Sequence, residues 1–189
     1  MFRVFWFALF VLALAFDVQY EGAYIFVYYT MWTLMLETIY FGCLLSTSKR
    51  CQQISDALFP ILMGPTLLVA LGFWLLIAPF AETSLRRFLY TIIVHGLNAL
   101  AMCTEIRPID KRDVWKPVLY TITYHVFFIT YVMHGGRDVK GKLPYWFAQY
   151  DTFLGWAIAA FAICCSGLVH MLLGFVYPLR QDVSKQCIV

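Results

Sequence analysis

The chain has 189 residues, of which 62% are hydrophobic and only 13% are charged. Soluble domains run at about 45–50% apolar and about 25% charged, so these residues cannot clothe a soluble fold of this length. The net charge of +3 is small, and no basic cluster with interleaved aromatics appears, which argues against a nucleic-acid surface.

The composition therefore predicts an all-α, polytopic membrane protein: a transmembrane helical bundle of about six spans, with residues 1–189 forming one unit without a linker. Residues 2–16, FRVFWFALFVLALAF, place one Arg before a short apolar run. Ala13 and Ala15 resemble a small-residue cleavage site, so a cleaved signal peptide and a retained first span both fit. The second span covers 24–47, and Lys49 and Arg50 follow it. The third covers 57–80. Its Pro60, Pro65 and Pro79 predict a kinked or unwound start and end. A polar turn at 81–87 leads to the fourth span, 88–106. The fifth covers 118–134. A longer polar loop, GGRDVKGKLPYWFAQYD, precedes the sixth, 152–177, and Pro178 opens a polar tail.

A span needs about 20 residues to cross a hydrocarbon core about 30 Å thick. Six spans put both termini on one side. The Lys and Arg excess on that side (Arg3, Lys49, Arg50, Arg107, Lys111, Arg112, Lys116, Arg180 and Lys185) predicts that it is cytoplasmic. Tyr20, Tyr24, Tyr145, Trp146 and Tyr150 then form an aromatic belt at the opposite face. The endoplasmic reticulum and the plasma membrane are equally open.

The six cysteines are scattered, with no C-x-x-C pair and no His/Cys metal spacing, so no metal is predicted. Cys187 stands one place too near the end for a C-a-a-X box, which leaves only palmitoylation.

Polar groups in lipid are costly and face the bundle interior. Thr30 lies about six residues into the second span and His95 about seven into the fourth, both from the non-cytoplasmic side. At a rise of 1.5 Å per residue, both sit roughly 10 Å below that face. Thr30, Thr33 and Glu37 form one helical stripe, and Thr91, His95 and Asn98 form another. Facing stripes would make one polar pocket, in which Glu37 is neutral or paired with a protonated histidine. His125 falls near mid-membrane, and Glu105 and His170 fall near the cytoplasmic face. Chemically, a neutral imidazole can take the proton of a threonine hydroxyl, which is otherwise a poor nucleophile. Asn98 could donate to a developing oxyanion, and Thr33, Glu37 and His125 are further candidates to orient His95. The bland alternative is that these residues glue helices together.

Several short motifs add to this reading. Thr30 is followed by Tyr40-Phe41-Gly42 in the second span, and Phe59-Pro60 and Phe73-Trp74 occur in the third. The fourth span carries His95-Gly96 and ends in Glu105-Ile106-Arg107, and Tyr145-Trp146-Phe147 lies after the fifth. In order and spacing this series resembles the androgen-induced protein family, which includes the androgen-dependent regulator of tissue factor pathway inhibitor. The segment from His95 to Glu105 is about one helical turn shorter than the family pattern, and the family's paired His near the end of span five is reduced to His134.

The resemblance implies a multi-span threonine hydrolase that cleaves fatty acid esters of hydroxy fatty acids. It places the nucleophile on Thr30 and the base on His95, and it favours residues 2–16 as a retained span. Such an enzyme would take its branched ester from the membrane lipid, form an acyl-threonine, clear it with water activated by His95, and need no metal or organic cofactor. Two alternatives from other classes stand beside it. One is a small transporter or channel using Glu37, His125 and Glu105 as a path, and the other is a non-catalytic membrane scaffold. Protein partners are not legible in the sequence.

Overall fold

The structure is a computed structural model that describes residues 2–78, 85–105, 107–138, 141–145, 147 and 149–186. Pro79, the turn at 81–84, Lys140, Trp146 and Cys187 lie outside the described residues. Every regular element among those described is helical. They are α1 (Phe2–Glu21), α2 (Tyr29–Leu44), α3 (Lys49–Gly72), α4 (Leu85–Ile92), α5 (Asn98–Thr104), α6 (Trp115–Met133) and α7 (Phe153–Gln186). A π-helical turn at Ile93–Leu97 joins α4 to α5, so they form one rod.

Three stretches are long and apolar enough to cross a membrane: Phe2–Val27, Lys49–Leu75 and Phe153–Tyr177. The others fall short for local reasons. α2 has only 16 residues, and α6 is diluted by threonines, tyrosines and His125.

Boundaries moved where packing overrode composition. α1 continues past the apolar run to Glu21, and Asp17 within it is buried rather than exposed. It is followed by Gly22 at φ +58, a conformation that glycine adopts without a Cβ clash. A 3-10 turn, Gly22–Val27, and an extended Tyr28 come next, so the expected second span is broken at its start. The polar stretch from Lys49, read as a loop, is the first part of α3. Its start is not unwound: Pro60 and Pro65 are buried inside a continuous helix that packs on α2, α5, α6 and α7, and those neighbours hold its course. The break comes later, as a π turn at Phe73–Ile77. α7 runs on past the predicted limit at 177 to Gln186.

The rods alternate up and down. At one end, Glu105 after α5 accepts from Arg3 of α1, at 2.8 Å from Nε and 3.0 Å from Nη2. Arg107 reaches Asp56 of α3 at 2.7 Å. His170 of α7 donates from Nε2 to the Asp110 carbonyl at 3.1 Å. The Arg107 guanidinium also lies over Tyr40 and Phe59, 5.5 and 5.7 Å from their ring centres. The apolar core, with Phe10, Leu34, Phe41, Leu62 and Met102 fully buried, occupies the middle. Close approach of α3 and α7 depends on Gly64, where a Cβ would stand 3.0 Å from the Ser166 carbonyl oxygen.

Candidate functional site

The end of the bundle opposite these ion pairs is hollow. A cavity of about 640 Å³ opens there, walled by residues from α1, α2, α3, the α4–α5 rod, α6, α7 and the segment around Tyr145. Ligand sites are typically of about 300–1,000 Å³, mostly apolar, with a few convergent polar groups. This wall is mostly aliphatic and aromatic. Its polar members include Asp17, Glu21, Thr30, His95 and His125.

Thr30 owes its position to the break before α2. Tyr28 is extended (φ −95, ψ 131), and the helix starts at Tyr29 with no side-chain cap. Thr30 is therefore the second residue of α2, at the end where the helix dipole presents positive charge. Neighbouring donors are accounted for. The Tyr29 N–H goes to Tyr145 Oη at 3.2 Å, and those of Met31 and Trp32 go to the Tyr28 carbonyl at 3.0 and 3.3 Å. Trp32 Nε1 reaches back to the Phe26 carbonyl at 2.7 Å and secures the turn.

His95 sits in the π turn between α4 and α5, a wide turn that often marks functional sites. Its ring lies on Phe73, with centroids 3.8 Å apart and planes 6° from parallel. Phe73 opens the π turn at the end of α3. Beside the stack, the Trp74 indole nitrogen is 3.8 Å from where a Cβ on Gly96 would be, so the Phe-Trp and His-Gly pairs meet in space. The stack leaves His95 Nδ1 at 3.5 Å from Thr30 Oγ1. Thr30 is 8% exposed and His95 is half-buried, and both line the cavity. A hydroxyl, an imidazole and a helix N-terminus thus converge on one wall.

No family model, curated protein or solved structure matches this chain. The chemistry of the cavity stands on its geometry.

The two expected stripes do not merge into one polar pocket. Thr33 donates to the Tyr29 carbonyl at 3.0 Å and meets Tyr120 Oη at 3.1 Å. Glu37 is fully buried and accepts from Thr66, not from a histidine, and its other oxygen has no partner among the described residues. Asn98 is fully buried, its Oδ1 accepts from the Ala99 N–H at 2.7 Å, and its amide nitrogen is unpaired. Among the described residues, Thr33, Glu37, Thr91 and Asn98 do not line the cavity. The π turn accounts for Asn98. It holds more residues per turn than an α-helix, so a residue three places after His95 no longer shares its face. Asn98, expected as an oxyanion donor, therefore stands away from the cavity that Thr30 and His95 line.

His125 does line the cavity. Its Nδ1 donates to the Thr121 carbonyl at 2.8 Å, and its ring faces those of Tyr29 and Tyr124. Tyr145 and Tyr150, expected in an aromatic belt, turn inward onto the cavity, whereas Tyr20 and Tyr24 are exposed. Among the described residues, no group of three or more His, Cys, Asp or Glu side chains gathers as a metal site requires.

Proposed function

We propose that this protein is an intramembrane lipid ester hydrolase with Thr30 as nucleophile and His95 as base. The observation that carries the reading is the 3.5 Å approach of Thr30 Oγ1 to His95 Nδ1 in the wall of an apolar cavity of about 640 Å³. A bond of this length is at the long end of the hydrogen-bond range, and catalytic contacts tighten as substrate settles. The apolar walls accept acyl chains. With its own proton on Nε2, His95 takes the threonine proton through Nδ1. Thr30 Oγ1 adds to the ester carbonyl, and the oxyanion forms against the N-terminus of α2. The C–O bond to the alcohol breaks, His95 returns the proton to the leaving oxygen, and water then clears the acyl-threonine. The substrate class is the branched fatty acid ester that the sequence resemblance implies.

The bundle is read as crossing the bilayer six times, since its six rods alternate in direction. The arginine-rich ion-pair end is placed in the cytoplasm and the cavity end on the other side. The relay or channel reading is weaker, because two members of its path are otherwise engaged. Glu105 is held by Arg3, Glu37 by Thr66, and neither lines the cavity.

The test is fluorophosphonate labelling of the purified protein, run beside hydrolysis of a branched fatty acid ester. Wild type labels and hydrolyses, while Thr30→Ala and His95→Ala do neither. Equal labelling of a folded Thr30→Ala protein rules out the nucleophile, and an unlabelled, inactive wild type favours the scaffold reading.

A further inference from the structure

Threonine hydrolysis has two halves, and the residues named above serve the first. The second half needs a base for water in a wall that offers few polar atoms. His125 stands in that wall on α6. A carbonyl oxygen can only accept, so the 2.8 Å contact with the Thr121 carbonyl fixes the proton on Nδ1. In the neutral ring, the lone pair then resides on Nε2. This is the second-nitrogen anchoring that sets the tautomer of working histidines.

The same residue ties His125 to the nucleophile. The Thr121 hydroxyl is 2.8 Å from Tyr29 Oη, and Tyr29 immediately precedes Thr30. The Tyr29 and His125 ring centres are 6.4 Å apart. His125 thus lies near the first turn of α2, on a different element from His95. His95, for its part, presents Nδ1 to Thr30 Oγ1 with one ring face covered by Phe73. Once Oγ1 is acylated, it no longer carries a proton for that edge to accept.

We infer that His125 is a second catalytic histidine, the base that activates water for release of the acyl group from Thr30. The assignment rests on the hydrolase reading. In this step water gives a proton to His125 Nε2 as its oxygen bonds to the acyl carbonyl carbon. The C–Oγ1 bond then breaks, the proton on Nε2 passes to Oγ1, and the free fatty acid leaves with Thr30 and His125 restored. His95 serves acylation and His125 serves deacylation.

The experiment uses the full chain in detergent with 4-nitrophenyl decanoate, whose good leaving group makes acylation fast, so that deacylation limits turnover and a burst is seen. His125→Ala, and His125→Asn, which keeps an N–H for the Thr121 carbonyl, are expected to give a full burst of nitrophenol. Their steady-state rate falls at least about a hundredfold, and intact mass shows one decanoyl group retained on Thr30. Fluorophosphonate labelling stays at the wild-type rate. His95→Ala shows no burst. The assignment is overturned if either His125 variant turns over at the wild-type rate. It is also overturned if burst, labelling and turnover fall together in a variant that melts like wild type, because a purely structural residue behaves that way. A wild type with neither burst nor labelling overturns the hydrolase reading itself and this assignment with it.

Discussion

His95 and Phe73 are stacked face to face, 3.8 Å between ring centres and 6° between planes. The contact joins the π turn that ends α3 to the π turn that carries the histidine, and it fixes which edge of the imidazole meets Thr30. Ring contacts of this kind are worth about 0.5–1.5 kcal/mol beyond area burial. Replacing Phe73 with Leu keeps an apolar wall but frees the imidazole to turn. Esterase activity should drop roughly three- to tenfold, mostly in kcat, with the melting temperature little changed. An unchanged kcat would show that the stack does not orient His95.

Tyr145 reaches from the segment after α6 to the first N–H of α2, at 3.2 Å. Tyr145→Phe keeps the ring and removes the acceptor. A neutral hydrogen bond contributes about 0.5–1.5 kcal/mol, so the fluorophosphonate labelling rate should fall roughly two- to tenfold. Labelling unaffected by the change would mean that the start of α2 is held without it.

Gly64 and Gly72 both lie in α3 but in different surroundings. A methyl group at Gly64 meets the Ser166 carbonyl oxygen at 3.0 Å, backbone against backbone across α3 and α7, whereas one at Gly72 meets nothing within 4 Å. Alanine gains up to about 1 kcal/mol over glycine in a helix, and overpacking costs about 1–3 kcal/mol. Gly64→Ala should therefore lower the melting temperature and Gly72→Ala should hold or raise it. The reverse order would mean that α7 shifts freely.

Glu105 is nearly buried and takes two donors from Arg3, whose side chain is half-exposed. Solvent screens the arginine side of the pair, so a double-mutant cycle on Arg3→Ala and Glu105→Ala should give a coupling of about 1–2 kcal/mol. Activity should survive in the folded fraction, because the pair sits at the end away from the cavity. Loss of activity at unchanged stability would reopen the relay reading.

The helical class was legible because hydropathy is a property of composition, and the juxtaposition of Thr30 and His95 could be approached by counting residues from one face. The helix ends were not. Asp17 and the polar start of α3 look like boundaries by residue type, yet tertiary contacts bury the one and the other propagates as helix. The π turn at 93–97 has no sequence signature, so Asn98 appeared to share a face with His95 and does not. Tyr145, in a polar loop, looked like an interfacial anchor. Only the returning chain shows that it caps α2.

The shortness of α2 has a consequence of its own. Its 16 residues extend about 24 Å, less than the roughly 30 Å of a bilayer's hydrocarbon. On the six-span reading proposed above, one end of this helix stops inside the oily layer. The end beside Thr30 carries the positive pole and faces the apolar cavity. On that reading, what hydropathy scores as a deficient span is a small fixed electrode set against an apolar wall.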